Sequence, residues 1–90
     1  MNIEILKHEL VNIIAAIFQN DGFDVDMIEY LDFFDDLGMD SVIFISMVVE
    51  IESYFNIEIP DEFLILDKFK NFTQIMSIIE ELLLKKVEEV

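Results

Sequence analysis

The chain has 90 residues, 54% of them apolar, and carries 20 aspartates and glutamates against five lysines, for a net charge of −15. That length suits one domain, 1–90, and the apolar content excludes intrinsic disorder. The charge excludes nucleic acid as a partner, since binding it depends on cations that neutralise phosphates, and an anionic membrane surface would repel the chain. Two readings of the charge stay open: a field that steers basic protein patches towards the chain, or simple solubility for an apolar small protein.

With no cysteine there is neither a disulfide nor a zinc-thiolate site. The longest apolar run, Ile13 to Phe18, is far short of the roughly 20 residues of a membrane span. The start, MNIEILKHEL, lacks the basic stretch and apolar core of a signal peptide, so the expected setting is the cytoplasm. A monomer is expected.

Helical spacing of Ile3, Leu6, Leu10, Ile13, Ile14 and Ile17 predicts an amphipathic helix over 3–18, with Asn2 as its N-cap. The pattern then breaks from Asn20 to Asp40, a segment that holds both glycines, Gly22 and Gly38, and many aspartates. A connection that long is unusual in a small domain and needs anchors, for which Phe23, Ile28, Leu31, Phe34 and Leu37 are the candidates. It leaves room for a single helical turn.

A second helix follows over 41–55, capped by Asp40 or Ser41 and apolar nearly all round: Val42, Ile43, Phe44, Ile45, Met47, Val48, Val49, Ile51. Only one face of it can meet the core. The remainder is either an interaction surface or a face covered by neighbouring loops.

Pro60 bars helix at its junction with Ile59, and Asp61 and Glu62 then load the first turn of a short third helix that would bury Phe63, Leu64 and Leu66. Asn71 and Gln74, three residues apart, resemble a capping box at the head of the last helix, with Phe72, Ile75, Ile79 and Leu82 as its core stripe. Lys85 and Lys86 complement the C-terminal end of its dipole, and Glu81 stands four residues before Lys85. The predicted fold is all-α: a bundle of four helices, three long and one short, with a long loop after the first.

The segment Asp35-Asp36-Leu37-Gly38-Met39-Asp40-Ser41 closes the loop and opens the second helix. A serine at a helix N-terminus, where free N–H groups and the positive dipole end favour a phosphate, is a place to hold a phosphodiester in solvent. Gly38 permits the tight backbone that presents it. Taken alone, Asp-Ser before a helix is also an ordinary cap.

The string DDLGMDS, the apolar helix after it, and the continuation EIESYFNIEIPDE resemble the attachment region of acyl carrier proteins. The helical layout, long first loop and acidity extend that resemblance over essentially the whole chain. It implies that a phosphopantetheinyl transferase attaches 4′-phosphopantetheine from coenzyme A to Ser41, with Asp40 and Gly38 beside the site. The chain itself would then be no enzyme but a carrier of acyl or aminoacyl thioesters between loading and condensing enzymes with basic or apolar docking patches.

Fatty-acid-synthesis members commonly carry acids early in the second helix, where this chain has Val42-Ile43-Phe44-Ile45-Ser46. The resemblance therefore leans to free-standing carriers of polyketide or non-ribosomal peptide pathways. Fatty-acid and D-alanyl carriers are the alternatives within the class, and a non-covalent acidic adaptor the alternative outside it. The expected partner surface is Val42, Ile43 and Met47 as apolar grip, with Asp35, Asp36, Asp40 and Glu52 guiding approach. His8 lies on the polar face of the first helix without a Gly-x-Ser-x-Gly at Ser41, which argues against a hydrolase, and no acidic stretch has calcium-loop spacing.

Overall fold

A computed structural model describes residues 2–18 and 24–88 of the chain. Three α-helices form the frame: α1, Ile3–Ile17; α2, Ser41–Phe55; and α3, Phe72–Glu88. Three 3-10 segments lie between them, at Val25–Tyr30, Asp61–Phe63 and Leu66–Phe69, and the described residues contain no strand.

Each long helix starts where its side-chain chemistry allows. The Asn2 side-chain oxygen accepts the Glu4 N–H at 2.7 Å, and an Asp40 oxygen accepts the Ile43 N–H at 2.9 Å. These bonds satisfy donors that a helix start leaves without an internal partner. At the head of α3 the Asn71 side chain accepts the Gln74 N–H at 2.9 Å, while the Gln74 side-chain oxygen accepts from Lys70 N–H, one residue earlier than a capping box would place it. α2 stops at Asn56, whose left-handed φ of 53° turns the chain out of the helix.

The core runs between the three helices. α1 contributes Leu6, Leu10, Ile13 and Ile14, α2 contributes Phe44, Met47, Val48, Ile51 and Phe55, and α3 contributes Phe72, Ile75, Ile79 and Leu82. The four residues predicted for α3 are all there. At 25 cal/mol per Å² of apolar surface, roughly 1.5–3 kcal/mol for each fully buried side chain, this cluster is what offsets the entropy of ordering the chain.

The connection after α1 is anchored more deeply than the sequence pattern suggested. Ile28 and Leu37 are buried as expected, and Leu31 and Phe34 pack at the edge of the core. Phe33 and Met39 are also buried, Phe33 completely, with its ring 6.0 Å from that of Phe18. Phe23 lies outside the described residues.

The predicted short third helix is replaced by two 3-10 turns. Leu64 N–H bonds to the Asp61 carbonyl and Lys68 N–H to the Ile65 carbonyl, both three residues back, and Ile65 between them is extended. β-branched Ile65 favours that extended conformation, which breaks any continuous helix. As a result Leu64 and Leu66 are exposed and Phe63 half-buried, while Phe69 enters the core and meets Phe44 edge-on at 5.0 Å.

Candidate functional site

Ser41 is the first residue of α2 and is exposed. Two features of the preceding residues put it there. Residues 33–37 form a turn that ends at Gly38, whose φ of 66° is a left-handed conformation natural to glycine. Gly38 N–H bonds to the Phe34 carbonyl at 3.0 Å and Met39 N–H to the Phe33 carbonyl at 2.8 Å, so the chain is fastened on both sides of the reversal. Met39 then buries, and Asp40, in extended backbone, caps the helix.

This capping arrangement has a chemical consequence. A helix start leaves its first N–H groups without helical partners; here Ile43 N–H is taken by the Asp40 carboxylate and Phe44 N–H by the Asp40 carbonyl at 2.8 Å. The amides of Ser41 and Val42 remain as the donors at the positive end of a 15-residue helix. An anionic group on the Ser41 oxygen would sit beside them, in solvent.

The other predicted site residues divide. Asp35 and Val42 are exposed, Val42 by 73%, as a docking role requires. Ile43 is half-buried against the core. Met47 is fully buried, and this corrects its assignment to the partner surface: it shares the inward stripe with Phe44, three residues before it, and Ile51, four residues after. Glu52 is half-buried, and its carboxylate accepts the Ile59 N–H at 2.9 Å, which ties the end of α2 to the following loop. Asp36 and Asp40 are exposed but engaged with backbone, Asp36 accepting the Asp32 N–H at 2.7 Å.

The large hydrophobic residues that α2 exposes are Val42, Ile45 and Val49, at 73%, 60% and 55%, and, near its end, Tyr54, whose hydroxyl donates to the Glu9 carboxylate. Ile45 and Val49 were absent from the predicted surface. The signal was available: with Phe44, Met47, Val48, Ile51 and Phe55 as the inward stripe, Val42, Ile45 and Val49 fall on the other side of a 3.6-residue repeat. It was hidden because the outer face carries no run of polar residues to contrast with the inner one. No helix among the described residues is long and apolar enough to cross a membrane, and no group of acidic or histidine side chains among them is arranged to hold a metal ion.

An all-helical frame that presents an exposed serine at a capped helix start defines a domain suited to carrying a covalent group. Comparison with known proteins agrees: the family described as "Phosphopantetheine attachment site" matches residues 8–79, and the chain belongs to that family. Its covalently attached 4′-phosphopantetheine is therefore the cofactor implied for this chain. Among curated proteins, the chain is similar to an acyl carrier protein of Phytoplasma mali (strain AT), 38% identical over 47 residues. Those residues are 52% of this chain and 54% of that protein, so the match spans about half of each.

The residues present fit such a group. The Ser41 side chain is open to solvent, and its helix start offers two amides to a phosphate.

Proposed function

We propose that this chain is an acyl carrier protein and that Ser41 is its attachment residue. The observation that carries this is the placement of an exposed serine as the first residue of α2, behind the left-handed Gly38 and the Asp40 cap. In the modification, the Ser41 oxygen attacks the pantetheine-bearing phosphorus of coenzyme A. A new phosphorus–oxygen bond forms, the bond to the nucleotide half breaks, and the seryl proton passes to a base on the transferase. The group supplies a thiol that holds acyl or aminoacyl cargo as a thioester. With no cysteine in the chain, that thiol has no internal exchange partner.

The protein's own contribution is presentation. Asp40 holds the helix start, the amides of Ser41 and Val42 face the phosphodiester, and the exposed Val42, Ile45 and Val49 form an apolar docking face next to the serine, with half-buried Ile43 at its edge. Asp35 is an exposed acid on the approach to it. Such a face, with no acid in the first turn of α2, supports a carrier of a polyketide or non-ribosomal peptide assembly line over one for fatty-acid synthesis. Its partners would be a phosphopantetheinyl transferase and loading and condensing enzymes with apolar or basic patches.

The test is mass spectrometry after incubation with coenzyme A and a broad-specificity phosphopantetheinyl transferase. A gain of one phosphopantetheinyl unit is expected, and none in Ser41→Ala. Failure of the unaltered chain to gain mass with several such transferases would overturn the reading in favour of a non-covalent adaptor.

A further inference from the structure

We propose that Asp32 and Asp36 are positioning residues for the modification of Ser41, acting as hydrogen-bond acceptors that hold the turn below the serine rather than as charges shown to a partner. The inference rests on the reading of Ser41 as the attachment residue and adds to it a division of labour among the acids of the loop.

The turn of residues 33–37 is too short to hold itself, because a single helical turn fixes many dihedrals for few bonds and leaves its first N–H groups unsatisfied. Asp32 and Asp36 make up for this. One Asp32 oxygen accepts both the Phe34 and Asp35 N–H groups, each at 2.9 Å. Asp36 reaches back to accept the Asp32 N–H at 2.7 Å, while its own N–H donates to the Asp32 carbonyl at 2.8 Å. The pair forms a reciprocal clasp like a capping box, closed over four residues instead of three.

What the clasp holds is connected to Ser41 on one side and to the core on the other. The carbonyls of Phe33 and Phe34, inside the turn, receive the N–H groups of Met39 and Gly38, the residues that lead directly to Asp40 and Ser41. Phe33 is completely buried and donates its N–H to the Lys70 carbonyl at 2.7 Å, tying the turn to the segment before α3. Loosening the clasp would therefore free the Gly38-Met39-Asp40 approach at its base while leaving α2 and its apolar face in place.

Both clasp carboxylates are committed to backbone donors. Asp35, between them in sequence, contributes only its N–H to the clasp and keeps its side chain in solvent. Of these three acids, Asp35 is the one placed to meet a cation on a partner.

Asparagine retains an acceptor oxygen without the charge, and alanine retains neither, so the two substitutions separate the roles. The kcat and KM of coenzyme A-dependent modification would be measured for the unaltered chain, Asp36→Asn, Asp36→Ala and the same pair at Asp32, with amide hydrogen exchange at Gly38 and Met39 measured on the unmodified proteins. The Asn variants should stay within about twofold of the unaltered chain, while the Ala variants lose about tenfold or more, mainly in kcat, because a misaimed nucleophile reacts slowly even when docked. Exchange at Gly38 and Met39 should quicken in the Ala variants only.

Asn variants as impaired as the Ala variants, a loss confined to KM, or Ala variants unchanged in both kcat and exchange would each overturn the proposal. An unaltered chain that takes no group at all would instead overturn the reading of Ser41, and the two failures are told apart by that control.

Discussion

At the scale of single residues, the site depends on a backbone position that few side chains tolerate. Gly38 has a φ of 66°, and no heavy atom lies within 4 Å of where a Cβ would stand. The cost of Gly38→Ala is then backbone strain alone, about 1–2 kcal/mol, with no clash added. Urea unfolding should show this loss with an unchanged slope. A much larger loss would mean that the turn had rearranged. Asn56 occupies the same left-handed region at the other end of α2 with a φ of 53°, and asparagine is among the few types besides glycine that do so readily. The glycine could be singled out from sequence because it stands three residues before a capped helix. The roles of the nearby acids could not, since Asp35 and Asp36 are chemically identical and differ only in what lies within reach of each carboxylate.

At the scale of elements, α2 has two apolar faces with different work. Met47 is fully buried between Phe44 and Ile51 on the inward stripe, whereas Ile45 is 60% exposed. Met47→Ala should cost about 2–5 kcal/mol, through lost transfer energy and the cavity left behind. Ile45→Asp should change stability by no more than about 0.5 kcal/mol, as a surface substitution, yet raise the KM of the enzymes that dock on this face. Thermal unfolding and modification kinetics on the two variants should thus give opposite patterns. An Ile45→Asp variant with unaltered KM for every partner tried would remove the apolar docking face from the proposed function. Glu52 belongs to the fold side of the same division: its bond to Ile59 N–H spans seven residues and joins the end of α2 to the loop before Pro60.

At the scale of the whole molecule, the net charge of −15 is little interrupted. Each lysine is engaged locally: Lys7 pairs with Glu29, Lys70 with Asp67 and Lys85 with Glu81, Lys86 donates to the Asn56 carbonyl, and Lys68 lies 5.1 Å from the centre of the Phe63 ring. The field should steer a basic partner in, and the apolar face should hold it. Raising ionic strength shortens the Debye length from roughly 30 Å at 0.01 M to 3 Å at 1 M, so association with a transferase should slow severalfold while a complex still forms. Stopped-flow association rates at several salt concentrations check this; a complex lost altogether at moderate salt would leave the apolar face without a role in binding.

The sequence by itself determined the helix bounds of α2, the cap at Asn2, a cap at Asp40 or Ser41, the core stripe of α3 and the serine at a helix start. All of these rest on short-range chemistry: side chains that bond to amides two or three residues away, and a 3.6-residue repeat that sorts apolar from polar positions. Tertiary structure decided what that chemistry leaves open. It chose which side of the uniformly apolar α2 faces inward, burying Met47 and exposing Ile45 and Val49, because only packing against α1 and the Leu66–Phe69 turn distinguishes the two sides. It drew Phe69 rather than Leu64 or Leu66 into the core, dividing the expected third helix into two turns. It also bound Asp36 and Glu52 to backbone donors, since the neighbour a carboxylate finds depends on where the folded chain brings its unsatisfied N–H groups.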